Sequence, residues 1–508
     1  MRNEEIAHVI PFRIRHSEFR IPMIGRLVAV SNRVGPVTGS GSAGGLAVAL
    51  VDALRASRGI WFGWSGRVGR NADTHRVHTR KTGGLTVATV DLGAEDYEAF
   101  YNGFANRCLW PLFHFRVDLS RYEPAEHEAY TRVNAQYARG LMTLLAPSDR
   151  IWVHDYHLFP LAAELRALGA RQRLGFFLHV PFPPRDILNT LPVHEQLVRA
   201  LFEYDLVGFQ TRQDLQRFFD YVEREARGQV QGSRVRAFGR EIHAGAFPIG
   251  IDVEGFERMV DSRRGRAETA QLRETLRGRS QIIGVDRLDY SKGLLRRMSA
   301  YETLLEHHPH VHGQLEFLQI APISRGEVKA YRDFRRELEQ AAARINGRFA
   351  RLDWTPVRCL TRALPRSTLG SLYRASRIGL VTPVRDGMNL VAKEYVAAQD
   401  PDDPGVLVLS RFAGAAQQMQ AALLVNPYDA AETAEALLRA QLLPLEERRA
   451  RHAELLRGLR EFDVQRWRDT FLERLTAAAP PRRRTAKPPA RRVRLHSPTG
   501  VLRAETRR

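Results

Sequence analysis

The chain has 508 residues, 44% of them hydrophobic, enough to bury a large core and, by length, to divide into more than one domain. Its two cysteines, Cys108 and Cys359, lie far apart outside any CxxC or Cys/His pattern, which argues against a disulfide framework or structural zinc and fits a reducing, cytoplasmic compartment. The formal charge of +20 invites a polyanion partner, but Pro481 to Arg508 carry ten Lys/Arg against Glu505, and no DNA- or RNA-reading motif accompanies them, so no specific nucleic-acid partner is expected.

In chain order, residues 1–25 carry no motif and read as a disordered extension. No charged leader precedes a long apolar run, and no segment stays apolar for the roughly 18 residues of a membrane span, so no membrane partner is expected. From residue 26 to about 255, short apolar runs alternate with amphipathic stretches: Leu27 to Val30, Gly45 to Leu54, Ile60 to Trp64, Ile151 to His154, Leu158 to Leu168, Leu174 to Leu178 and Leu206 to Phe209. That rhythm predicts an α/β domain with a largely parallel sheet. A second series runs over 256–460, with apolar strands at Ile282 to Val285, Leu315 to Ile320, Ile378 to Val381 and Val406 to Leu409, after a joint near Val253 to Arg279. Residues 461–478 continue a helical pattern that starts after Pro444. The Pro/Arg-rich stretch 479–508 reads as a basic disordered tail. The fold class is thus α/β, two Rossmann-like, doubly wound domains facing a central cleft, and ligands of such sheets bind outside the carboxyl ends of the strands.

Gly39-Ser40-Gly41-Ser42-Ala43-Gly44 matches the dinucleotide pattern G-x-G-x-x-G, which raises a dehydrogenase. Against it, the glycines begin eight residues after Ser31 rather than in the tight turn, and the next strand-like run ends at Trp64-Ser65 without the acidic residue that a ribose needs. The loop reads better as a flap whose Gly44 and Gly45 amides approach a ligand at a helix start.

Two segments of the second half carry the chemistry. Asp286-Arg287-Leu288-Asp289-Tyr290-Ser291-Lys292-Gly293 follows a strand and aims Arg287 and Lys292 into the cleft, where two fixed cations suit a diphosphate leaving group. Pro383 to Glu394 follows the strand Ile378 to Val381 and sets Asp386 and Glu394 on either side of a helix start. The free N–H groups there suit a diphosphate, and the carboxylates suit sugar and ribose hydroxyls. In the first half, Arg33, Tyr101, Trp110, His154, Asp155, His157 and His179 fall at strand ends or in loops. His154, Asp155 and His157 follow no metal-ligand spacing, so no metal is expected. Asp155 is placed to accept from a sugar hydroxyl, Trp110 offers a ring face to a pyranose, and Arg33 with Arg325 suits a second anion such as a sugar phosphate.

Together these residues resemble the retaining glycosyltransferases of family 20, the trehalose-6-phosphate synthases. The matching segments are Arg26 to Arg33, Ser42 to Leu46, Leu109-Trp110-Pro111, His154 to His157, Phe177 to Pro183, Arg287 to Gly293, Ile320 to Arg325 and Arg385 to Asp400, from about residue 26 to 475. The resemblance implies the GT-B architecture, a last helix that crosses back onto the first domain, and transfer of glucose from a nucleotide-diphosphate glucose to glucose 6-phosphate with retention, without metal or other cofactor. It implies a donor site of Gly44, Gly45, Arg287, Lys292, Leu364, Asp386, Leu390, Val391, Ala392, Lys393 and Glu394. The acceptor site is Arg33, Tyr101, Asp155 and Arg325, with Trp110 and Val180 selecting the acceptor anomer. Arg287, Lys292, His179 and Asp386 are the residues implied in catalysis. Relatives form homo-oligomers, tetramers among them. Where relatives commonly carry Phe-Asp beside the nucleotide base, this chain has Leu364-Pro365, so UDP, GDP and ADP all stay open as donor nucleotides, UDP being the usual one. No DxDxT phosphatase motif is present. The alternatives are a pseudo-glycosyltransferase that couples cyclitols and a non-catalytic sugar-phosphate sensor.

Overall fold

The computed structural model describes residues 25–35, 45–69, 76–323 and 329–478. Among them, a first sheet contains ten strands in the order His78–Thr82, Leu85–Gly93, Ile60–Gly69, Leu27–Arg33, Arg150–His154, Arg173–Phe177, Leu206–Phe209, Arg240–Ala246, Arg234–Ala237 and Gln229–Gln231. The seven from Leu85–Gly93 to Arg240–Ala246 run parallel, and the remaining three add antiparallel edges. The central strands are apolar along their length because helices cover both faces. Leu27 to Val30 and Ile151 to His154 are all buried, as expected of a doubly covered parallel sheet.

The second sheet is wholly parallel, in the order Val357–Leu360, Leu315–Ile320, Ser280–Val285, Ile378–Val381, Val406–Ser410 and Leu423–Val425. Counted along the chain, this is the doubly wound order 3-2-1-4-5-6. The parallel part of the first sheet follows the same rule. Each sheet therefore has one point where its connections diverge to opposite sides: between Leu27–Arg33 and Arg150–His154 in the first, and between Ser280–Val285 and Ile378–Val381 in the second. A crevice opens at the carboxyl ends of those strand pairs.

The stretch Val253 to Arg279, read from sequence as the joint, is two helices, Val253–Val260 and Arg263–Leu276. Asp252 and Ser262 cap them by accepting from the N–H groups of Gly255 and Gly265. They pack on the helices Arg366–Ala375 and Leu390–Ala398 of the second half. The final helix, Val464–Ala477, lies on the strands Arg173–Phe177 and Leu206–Phe209 of the first sheet. Phe471 stacks on Trp152 with ring centroids 4.6 Å apart, and Trp467 lies 4.8 Å from the same ring. Gly175 and Gly208 make room for it, since a Cβ on either would come within 2.8 Å of the Phe471 ring. One apolar cluster joins the halves, with Trp152, Phe177, Met388, Trp467 and Phe471 among its members. Among the described residues no helix is long and apolar enough to cross a membrane. The extension before Gly25 and the basic tail from residue 479 lie outside the described residues.

Candidate active site

At the crevice of the second sheet, Ser280–Val285 ends in Asp286, and Ile378–Val381 leads to Asp386 after four intervening residues. Lys292 Nζ donates to Asp386 Oδ2 at 2.6 Å, with the two side chains only 10% and 14% exposed. Asn389 Nδ2 donates to the same oxygen at 3.1 Å. Burial pushes the Asp386 carboxyl upward, but the Lys292 ammonium beside it wins and holds it below the ordinary carboxylate range. Asn389 adopts φ +77°, a region Asn tolerates better than most residues, and its side chain caps the helix Leu390–Ala398 by accepting from Ala392 N at 3.2 Å. The Leu390 and Val391 N–H groups, first-turn donors with no carbonyl inside the helix, open toward the crevice end.

Beneath this pair, Arg297 is fully buried and donates to Asp286 Oδ2 at 2.5 Å, Thr382 Oγ1 at 2.9 Å and the Lys292 carbonyl at 3.1 Å. Burial raises the Asp286 carboxyl despite the opposing pull of Arg297 and Lys292. Arg297 thus clamps both crevice strands and the loop between them. Sequence reading passed over it, although an arginine among Leu294, Leu295, Met298 and Tyr301 on an apolar helix was the available signal. The buried His114 lies against the same charges from the first half, held down to about 4 by burial and then by Lys292.

Arg287 is exposed, with its guanidinium 5.4 Å from the Trp110 ring centroid. Trp110 Nε1 also donates to Asp289 Oδ1 at 3.4 Å, so this tryptophan of the first half bridges to the cationic loop of the second. At the first crevice, Arg33 ends the strand Leu27–Arg33, is exposed, and lies 5.4 Å over Trp64. Tyr101 comes from an unusually wide helical segment, Tyr97–Leu109, and stacks on His157 at 5.9 Å. Asp155 follows Arg150–His154 with φ +78°, and its Oδ1 accepts from the His179 N–H at 3.2 Å. The left-handed turn points a carboxylate out of the strand end, a strained backbone of the kind that clusters at ligand sites. Val180 is buried beside it.

His179 Nε2 is 3.1 Å from His154 Nδ1, and His179 Nδ1 is 3.3 Å from Gln210 Nε2. Burial drives the His179 ring down to about 3, so it is neutral. The side chains of His154 and His157 diverge, and among the described residues no group of three or more His, Cys, Asp or Glu is arranged to hold a metal ion. The two crevices meet where Gly387 packs on His179: a Cβ at Gly387 would fall 1.9 Å from the His179 carbonyl oxygen.

The remaining expected donor residues are more dispersed. Lys393 is wholly buried and turns its ammonium away from the crevice, to the Ile249 carbonyl at 2.7 Å and Gln418 Oε1 at 2.8 Å. Glu394 pairs with Arg366 at 3.4 Å; burial raises its carboxyl and Arg366 opposes that rise. Leu364 packs half-buried against the shared core. Gly45 opens the helix Gly45–Ala56, while Gly44 and Arg325 lie outside the described residues.

The crevice residues thus assemble from both halves: cations and a paired carboxylate on one side, an arginine, a carboxylate and aromatic rings on the other. The sequence model of glycosyltransferase family 20 matches residues 26–477. The chain is 49% identical to a trehalose-6-phosphate synthase of Klebsiella pneumoniae, over 90% of this chain and 96% of the relative. It is similar to a crystal structure of an alpha,alpha-trehalose-phosphate synthase (UDP-forming) from Burkholderia xenovorans in complex with glucose-6-phosphate, with TM-score 0.86, 49% identity, and coverage of 89% of this chain and 100% of that one. An E. coli structure bound with UDP-2-fluoro glucose is similar at TM-score 0.86 and 46% identity, covering 90% of this chain and all 100% of its own. With that model spanning nearly all of the described residues, the chain belongs to glycosyltransferase family 20.

Proposed function

We propose that the enzyme transfers glucose from UDP-glucose to glucose 6-phosphate with retention, giving α,α-trehalose 6-phosphate. The observation that carries this reading is the opposition of the two crevices: Arg287, Lys292 and Asp386 at one, Arg33 and Asp155 at the other, brought together where Gly387 packs on His179. The relatives bound to glucose 6-phosphate and to a UDP-glucose analogue support a ligand of each class for these two sides.

In this reading Arg287 and Lys292 hold the diphosphate, with the first-turn N–H groups of Leu390 and Val391 beside it, and Glu394 grips the ribose. Ala392 and Lys393 complete that turn, Leu364 lines the base, and the Gly44-Gly45 amides close over the donor. Asp386 holds the glucose that moves. Arg33, Tyr101, Asp155 and Arg325 hold glucose 6-phosphate, Trp110 and Val180 shape the pocket around its anomeric carbon, and His179 lies near the reacting centre.

The bond from C1 of glucose to the diphosphate oxygen breaks as the bond from C1 to the acceptor 1-hydroxyl oxygen forms on the same face, and the hydroxyl proton passes to the departing phosphate oxygen. No carboxylate nucleophile is required, unlike in a retaining glycosidase. The protein supplies orientation of two bound substrates and positive charge where negative charge grows. Lys292 suits that task because Asp386 already fixes its position before the donor arrives. Incubating the protein with UDP-glucose and glucose 6-phosphate and reading the product by proton NMR tests this. Two α-anomeric signals are expected, and a β-linked product or none would overturn the reading.

A further inference from the structure

Gln210 follows the strand Leu206–Phe209 and is 2% exposed. The Ile249 backbone N–H donates to one side-chain atom of Gln210 at 3.1 Å. A backbone N–H only donates, so that atom is the carboxamide oxygen, and the atom 3.3 Å from His179 Nδ1 is the NH2 nitrogen. An NH2 group in turn only donates, so His179 Nδ1 accepts and the ring proton lies on Nε2. That proton faces His154 Nδ1 at 3.1 Å, which leaves the His154 proton on its own Nε2. Burial keeps both rings neutral, and for His154 the neighbouring His179 adds to the effect. Each step of this assignment follows from which atoms can donate.

Ile249, whose N–H Gln210 holds, is gripped through its carbonyl as well. The Ile249 carbonyl accepts from Lys393 Nζ at 2.7 Å, and Lys393 belongs to the helix Leu390–Ala398. A chain of hydrogen bonds therefore runs from that helix, through the crossover peptide that follows the strand Arg240–Ala246, through Gln210, to His179 and His154. His179 is where the halves meet: its N–H binds Asp155, and its carbonyl lies against Gly387.

We propose that Gln210 is a positioning residue for glucosyl transfer: its carboxamide locks the His179 ring in the Nε2–H tautomer and ties it to Ile249, whose carbonyl Lys393 holds, keeping the His179 main chain in register between Asp155 and Gly387. This role rests on the functional reading above. It requires Gln210 to act as a donor toward His179, not merely as an anchor for Ile249.

Two variants separate those roles. Gln210→Glu keeps an acceptor for the Ile249 N–H but presents a carboxylate oxygen where Nδ1 needs a donor; Gln210→Met keeps the length and removes both bonds. A mere anchor leaves Gln210→Glu at wild-type turnover. A positioning residue gives both variants a fall in kcat of about tenfold or more with KM for both substrates held within about twofold. In 15N-histidine NMR of the resting enzyme, with the His179 signals assigned by their loss in His179→Asn, the wild type is expected to show the neutral Nε2–H pattern and Gln210→Glu a ring protonated at Nδ1. Wild-type kcat in Gln210→Glu, or an Nδ1–H pattern in the wild type, would overturn the role of Gln210 alone. Absence of transfer by the wild-type enzyme would overturn the functional reading and this role with it, with the spectra still reporting whether the contact exists.

Discussion

Arg287 and Lys292 follow the same strand, yet their surroundings assign them different costs of removal. Arg287 is exposed and lies over the Trp110 ring face, so truncating it leaves little behind. Arg287→Ala is expected to lower kcat by about a hundredfold to a thousandfold, the scale for loss of one group that stabilises developing charge. Its thermal midpoint should stay near that of the wild type, which calorimetry checks. Lys292 is buried against Asp386, and removing one partner of such a pair costs about 3 kcal/mol because the other charge is left uncompensated. The wild-type carboxyl sits below its unfolded value, so the pair stabilises the fold above the ordinary carboxylate pKa, and that contribution fades as pH falls through the folded pKa. In Lys292→Met burial, the largest influence on this carboxyl, outweighs the remaining bond from Asn389 and the neighbouring His114, and the folded pKa rises above the unfolded one. The stability deficit of the variant should therefore shrink from pH 7 to pH 4, as followed by denaturant unfolding at each pH. Arg33, Asp155, Arg287, Lys292 and Asp386 were all legible in the sequence, because each comes within a few residues of an apolar strand end. Arg366 and Gln210 were not, because their partners lie distant along the chain, and Arg297 was passed over because, although Asp286 and Lys292 are near it in sequence, its tie to the second crevice strand at Thr382 spans 85 residues.

The helix Leu390–Ala398 shows how one element serves two surfaces. Its first turn ends at the crevice, while the side chain of Lys393 crosses to the Ile249 carbonyl. Burial lowers the Lys393 ammonium to about 7, so between there and the unfolded value near 10.4 the unfolded chain holds a proton that the native protein does not. This group then adds stability as pH rises, and Lys393→Met lacks that gain. The melting temperature of the wild type minus that of the variant is expected to rise from pH 7 to pH 9, and a constant difference would contradict the burial of the ammonium. At this scale the parallel strands were legible as unbroken apolar runs. The edge strands His78–Thr82 and Gln229–Gln231 were not, since they are short, polar and mostly exposed, with pairing supplied by the neighbouring strand. The helices over Val253 to Leu276 were hidden for another reason: charged residues dominate the surface of Arg263–Leu276 and mask its narrow buried stripe.

At the scale of the whole molecule, two sheets of the same winding turn their crevices toward each other, and the final helix returns to the first sheet to seal a shared core. That doubling was legible as two series of apolar runs, but the way the halves meet was not, because it rests on contacts between residues far apart in sequence, the close approach of Gly387 to His179 among them. Gly387→Ala would place a methyl group 1.9 Å from the His179 carbonyl oxygen and force the halves apart there. Each half keeps its own sheet, so turnover is expected to suffer more than folding, with kcat/KM down about a hundredfold, the effect of a displacement near 1 Å on oriented substrates. Steady-state kinetics alongside circular dichroism separates the two effects. The central claim, that one cleft joins a nucleotide-diphosphate glucose to glucose 6-phosphate, is tested most directly by measuring nucleotide release from UDP-, GDP- and ADP-glucose with and without glucose 6-phosphate. The expected result is release that depends on the acceptor and is fastest from UDP-glucose. Release from none of the three donors, or release indifferent to glucose 6-phosphate, would contradict it.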